Sequence, residues 1–139
     1  MKATLTNKMV KKKVRWLSKA AEKVDLTGRG AGKLYRYLRR VLVASTAFTT
    51  EFGEKAVRKV AATLGIDRRR SLSATLIAAT LPDAGGRRVA KWAAAVLYGA
   101  ARSLSPVEFE LYLHRHGVDV LAKRHGRHRR ADRRPVATR

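Results

Sequence analysis

Apolar residues return at intervals of three and four along almost the whole chain, and no strand-like alternation of useful length interrupts them. That period puts them on one face of a helix and predicts an all-α fold. The first segment shows it most plainly. Val10, Val14, Leu17, Ala21 and Val24 form one stripe, and Lys8, Lys11, Lys12, Arg15, Lys19 and Lys23 form the opposite face. We expect a strongly amphipathic helix over 6–25 with a cationic outer side.

Thr27 to Gly32 carries three glycines and breaks that helix. A second helix is expected over 33–48, with Leu34, Leu38, Val41, Ser45 and Phe48 inward and Lys33, Arg36, Arg39 and Arg40 outward. Thr49 and Thr50 are expected to cap a third helix, with Phe52, Ala56, Val57, Val60 and Leu64 on its apolar side and Gly65 as its stop. Asp67 is expected to cap a fourth, over 68–81, apolar almost all round and so the centre of the core, with Pro82 ending it. A fifth turns Val89, Ala93, Val96, Ala100 and Leu104 inward and Arg87, Arg88, Lys91 and Arg102 outward. The clearest local signal follows. Ser105, Pro106 and Glu108 make a capping box with proline at the first helical position, and Leu104 and Phe109 fit a hydrophobic staple. This sixth helix should stop at Gly117, with a short helical stretch over Asp119 to His125. The organisation expected is a helix–hinge–helix arm over 1–49, a compact helical bundle over 50–126 and a basic C-terminal tail over 127–139, with no internal repeat.

Charge narrows the function. The 139 residues hold 32 lysines and arginines against 10 aspartates and glutamates, a net +22. Such a surplus repels itself unless a polyanion neutralises it. At one phosphate per about 1.7 Å of duplex, it matches roughly 37 Å of DNA. The acids Glu51, Glu54, Asp67, Asp83, Glu108, Glu110 and Asp119 all fall near expected helix starts, which leaves the outer faces nearly single in sign. Candidate phosphate contacts are therefore the α-helical cations named above, from Lys8 to Lys91 (Arg102 aside), with Arg29 in the hinge and Arg68, Arg69 and Arg70 in the first turn of the fourth helix. Cations there oppose the helix dipole, and a bound phosphate would reverse that sign. Arg127, Arg129, Arg130, Arg133 and Arg134 extend the set into the tail. No aromatic run interleaves with these cations along the chain, which favours duplex backbone over a single-strand stacking platform.

Other chemistries fit poorly. Cysteine is absent, so thiolate sites and disulfides are excluded. Gly28 to Lys33 is similar to a phosphate-binding loop, but Thr27 stands where its first glycine belongs and Leu34 where Ser or Thr would hold the metal. His114 and His116 lie two apart and point to different helix faces, so no metal site is expected. No nucleophile–base set or paired carboxylates emerge, and we expect a non-enzyme without cofactors. Val60 to Ile66 resembles the first half of a helix-turn-helix, but the pattern fails at Ser71, one place before Leu72. No leader peptide and no membrane span are expected. Glutamine is absent and Asn7 is the sole asparagine, a composition that suits either a thermophilic setting or a GC-rich genome.

Two cationic helices over 6–48, joined by a glycine hinge and followed by a bundle over 50–126, resemble in layout the capsid proteins of filamentous archaeal viruses. That resemblance implies a nucleocapsid subunit that wraps double-stranded DNA in a helical filament, as a homo-oligomer or with a related subunit, inside a virion. The alternatives are a helix-turn-helix regulator in the host cytoplasm or nucleoid and a ribosomal or ribonucleoprotein subunit, with RNA as the polyanion.

Overall fold

The computed structural model describes residues 4–27, 31–67, 69 and 71–133, with side chains placed as far as Arg127. Its order is α1 (Asn7–Ala21), α2 (Ala31–Phe52), a 3-10 turn (Gly53–Lys55), α3 (Ala56–Leu64), α4 (Leu72–Thr80), α5 (Gly86–Ala101), α6 (Pro106–His116) and α7 (Val118–Arg133). No strand occurs among the described residues, and the fold is an all-α bundle.

Its organising element is α2, which packs against α1, α3, α4, α5 and α6. Tyr37, Leu38 and Val41 of α2 are wholly buried, as are Val10 and Leu17 of α1. The first two helices are thus built into the bundle, and α2 crosses the boundary expected at 49/50. The apolar stripe of α1 is covered within the chain, by α2, α3 and α4. As expected, α4 is buried all round, with each residue from Leu72 to Ile77 inside.

Polar contacts join the layers. The Tyr37 hydroxyl meets Thr80 Oγ1, which itself donates to the Leu76 carbonyl, so the phenol is the donor. Burial pushes the Tyr37 pKa up, and the Thr80 hydrogen bond offsets only part of that rise. Arg39 donates to Glu110 at 3.1 Å and ties α2 to α6. Thr63 Oγ1 donates to Asn7 Oδ1 at 3.0 Å and ties α3 to α1.

Several expected boundaries move. Thr49 and Thr50 do not cap α3; they continue α2, which ends only before Gly53, and no side chain caps α3. Asp67 does not cap α4. Ser71 does, its hydroxyl accepting from the Ala74 N–H at 3.1 Å. Gly65 closes α3 as expected, in a left-handed conformation (φ +66°) that suits a residue without Cβ. Among the acids assigned to helix starts, Glu108 and Asp119 sit in first turns of α-helices and Glu54 in the 3-10 turn. Glu51 instead lies in the last turn of α2, and Glu110 serves as the Arg39 partner inside α6.

The capping box of α6 is complete. Ser105 Oγ accepts from the Glu108 N–H at 3.1 Å, and Glu108 Oε1 accepts from the Ser105 N–H at 3.0 Å. Hydrogen bonds from Ser105 to the carboxylate, from its backbone N–H first and its side chain second, hold Glu108 below its ordinary pKa. A depressed native pKa stabilises the fold above the unfolded value and is lost as pH falls through the native one. Ser105→Ala should therefore cost about 1 kcal/mol in urea unfolding at neutral pH, and less at a pH where Glu108 is protonated. An equal loss at both pH values would separate the cap from the carboxylate.

The seventh helix runs well past His125, to Arg133. Leu121 anchors it against α5 and α6. Beyond that anchor His125 is still buried, and alanine, lysine and arginine outweigh the poor helix former Gly126, so the helix propagates although the apolar stripe has ended. Residues 127–133 of the expected tail are therefore helical backbone, while 134–139 lie outside the described residues.

Candidate nucleic-acid interface

Six cations and no acid occupy the fifteen residues of α1: Lys8, Lys11, Lys12, Lys13, Arg15 and Lys19. Burial of Val10, Leu17, Ala20 and Ala21 fixes the helix rotation and turns Lys8, Lys11, Lys12, Arg15 and Lys19 outward, all exposed. Thr6 starts the helix, its hydroxyl accepting from the Met9 N–H at 3.2 Å. At about 1.5 Å per residue, the cations from Lys8 to Lys19 make a strip roughly 17 Å long on α1.

A cleft of about 510 Å³ continues this strip between the C-terminal end of α1 and the first turns of α2. Trp16, Lys19, Lys23, Lys33, Arg36 and Arg40 line it, with Glu22 the one acid among its described lining residues. The turn beside it is held by Asp25, whose Oδ1 accepts from the Thr27 hydroxyl at 2.6 Å and the Thr27 N–H at 2.8 Å. Those bonds, the hydroxyl first, hold the Asp25 carboxyl below its ordinary pKa, helped by the charge of Lys33. Ala31 and Gly32, expected in the hinge, belong to α2. Gly28, Arg29 and Gly30 lie outside the described residues.

Arg40 has a structural task. Its Nη1 donates to the Trp16 carbonyl at 2.8 Å, and its guanidinium lies 4.9 Å from the Trp16 ring centre. Lys13 Nζ lies 5.1 Å from the same ring, a residue the sequence reading passed over. Arg39 is half-buried and engaged with Glu110. Charged hydrogen bonds of this kind contribute about 1.5–3 kcal/mol, and cation–π contacts about 0.5–2. Arg40→Ala should thus lower the unfolding free energy by about 1–2 kcal/mol. Lys19→Ala, on the exposed side of the same cleft, should change it by under about 0.5. Equal effects of the two would remove the distinction between support and contact.

The remaining candidates scatter over other faces. Arg87, Arg88 and Lys91 are exposed on the first two turns of α5, where Lys91 pairs with Asp119 of α7 at 3.0 Å. Arg69 is not in a helix; it precedes the Ser71 cap, and its N–H donates to Thr75 Oγ1 at 3.1 Å. The expectation of three arginines in the first turn of α4 is therefore corrected. Arg69 and Gly86 line one cleft with Ser71, so the fold brings this arginine near the start of α5. Arg68 and Arg70 lie outside the described residues, as does Arg134. Arg127 is exposed on α7, while the backbone of Arg129, Arg130 and Arg133 continues that helix.

The helix-turn-helix pattern does not materialise at α3 and α4. Residues 65–71 separate the two helices, against the three or four residues of that motif's turn, and the buried α4 has no face to offer a groove. His114 and His116 go separate ways: His114 stands edge-on to Tyr35 at 5.0 Å, and His116 edge-on to Tyr112 at 5.8 Å. No helix among the described residues is long and apolar enough to cross a membrane.

Comparison with known proteins returns no match to any family model, curated protein or solved structure.

Proposed function

We propose that the chain is a binding protein, not a catalyst, that coats duplex DNA without reading its sequence. The observation that carries this is the outer face of α1, with Lys8, Lys11, Lys12, Arg15 and Lys19 exposed and no acid in the helix. A single-sign face of this kind is repulsive by itself and becomes favourable against phosphates. Its continuation into the α1–α2 cleft extends the same contact to Lys23, Lys33 and Arg36. Cations on α5 and α7 offer further faces to a neighbouring stretch of duplex. That distribution suits wrapping or cross-bridging better than one recognition helix in one groove.

The sequence resemblance to filamentous viral capsid proteins favours one subunit of a helical nucleoprotein filament, with α1 and α2 acting as faces of the bundle and not as a separate arm. Subunit contact falls most favourably on α6. It exposes Val107 and Leu111 and carries Glu108 and Glu110, so a second copy can approach there with least repulsion.

Competition binding tests the reading. Random duplexes should compete within about tenfold of any selected site, against the 10³ or more of specific binders. Affinity per subunit should rise as the duplex is lengthened, and electron micrographs of the longest duplexes should show a regular filament. A site preferred a thousandfold overturns sequence-independent coating. Preference for A-form RNA over DNA of equal length moves the chain to the ribonucleoprotein class.

A further inference from the structure

A second cationic cleft, of about 540 Å³, opens between the C-terminal ends of α5 and α6 and the middle of α7. Tyr98 and Arg102 come from α5, Tyr112 and His116 from α6, and Arg124 and Arg127 from α7. No carboxylate is among its described lining residues. The Arg102 guanidinium lies over the Tyr98 ring at 5.5 Å, and the Tyr112 and His116 rings meet edge to face at 67°. Aromatic faces and guanidinium groups from three helices thus share one concavity.

Charge sets the size of the anion. Arg102 caps the C-terminus of α5, and His116 is the last residue of α6. Two helix C-termini offset about one positive charge between them. The three arginines therefore leave about two charges unmatched, which fits a phosphate monoester at roughly −1.5 to −2 better than a backbone diester at −1. Planar tyrosine rings beside it suit an unpaired base. The volume falls within the range of small-molecule sites, about 300–1,000 Å³.

We propose that this cleft binds a single unpaired nucleotide bearing a phosphate monoester, its phosphate on Arg102, Arg124 and Arg127 and its base against Tyr112. The same chemistry is offered by a free mononucleotide and by the 5′-phosphorylated end of a strand. The site stands apart from the α1–α2 face and does not depend on duplex coating.

Calorimetric titration of the full chain tests it, at about 0.3 M salt to suppress backbone binding. The probes are adenosine monophosphate, inorganic phosphate, and a short single-stranded oligonucleotide with and without its 5′-phosphate. The mononucleotide should bind at least about fivefold more tightly than inorganic phosphate. Tyr112→Leu should weaken the mononucleotide by about five- to a hundredfold and leave inorganic phosphate unchanged. Arg127→Gln, an exposed position on α7 that the bundle does not need, should weaken both. Lys11→Ala should weaken neither, and its effect on duplex affinity reports the coating reading separately. A 5′-phosphorylated oligonucleotide that matches the mononucleotide, and outbinds its dephosphorylated form, assigns the strand end. An oligonucleotide that fails to bind assigns the free nucleotide. Equal binding of mononucleotide and inorganic phosphate overturns the proposal, as does Arg127→Gln binding like the native chain.

Discussion

Raising salt from about 50 to 200 mM should weaken duplex binding by a factor of 10³ or more, with a log–log slope that alanine at Lys8, Lys11, Lys12 and Arg15 lowers by about 3–4 units. All four side chains are exposed on one side of α1. Each that neutralises a phosphate releases about 0.9 of a counterion, so the loss counts contacts directly. The substitutions should not melt the helix. Alanine is the best helix former, and α1 is held by Val10, Leu17, Ala20 and Ala21 on its other side. Helical circular dichroism should stay constant while the slope falls. An unchanged slope would take α1 out of the interface, and with it the observation on which duplex coating rests.

The largest effect on stability is expected where α5 and α6 touch. Gly99 is buried in α5, and a Cβ placed on it would lie 2.6 Å from Phe109 Cδ1. Phe109 is wholly buried, and its ring cannot flex at the tip as a longer chain could. Overpacking of this kind costs about 1–3 kcal/mol, while alanine's better helix propensity returns up to about 1. Gly99→Ala should therefore destabilise on balance. Phe109→Ala should cost about 3–5 kcal/mol, a large part of the 5–15 typical of a whole domain. The double variant should lose less than the sum, because the new methyl occupies space the ring has vacated. Urea unfolding of the four proteins gives the coupling, expected at about 0.5 kcal/mol or more. Strict additivity would mean that the two residues do not share that space.

The sequence is legible where local chemistry decides the outcome. The stripe of α1 from Val10 to Ala21, the Gly65 stop and the Ser105–Glu108 box each specify their own backbone and are found in place, while the helix expected to reach 25 stops at Ala21 and leaves Lys23 and Val24 beyond it. Choices between rival local signals are harder. Asp67 and Ser71 both make sound caps. Ser71 prevails in a setting where Leu72 and Thr75 are buried and the Thr75 hydroxyl serves both the Ser71 carbonyl and the Arg69 N–H. Thr49 and Thr50 signal a cap equally well, but Phe48 is buried and Phe52 half-buried on a face that keeps α2 going past them. The interface divides in the same way. Amphipathicity identifies the exposed lysines of α1, whereas the engagement of Arg39 and Arg40 depends on partners 71 and 24 residues away. The α5–α6–α7 cleft has no linear signal at all, since helix packing alone assembles it.

The two tryptophans lie in opposite surroundings. Trp92 is only 6% exposed within α5, while Trp16 borders solvent between Lys13 and Arg40 and lines the α1–α2 cleft. An anion that enters that cleft meets Arg40 and must compete with the indole for it. The molecule therefore carries its own optical gauge. In a Trp92→Phe background, the colour and intensity of the remaining emission follow the occupancy of the cleft, with no dye attached to the protein or to the nucleic acid.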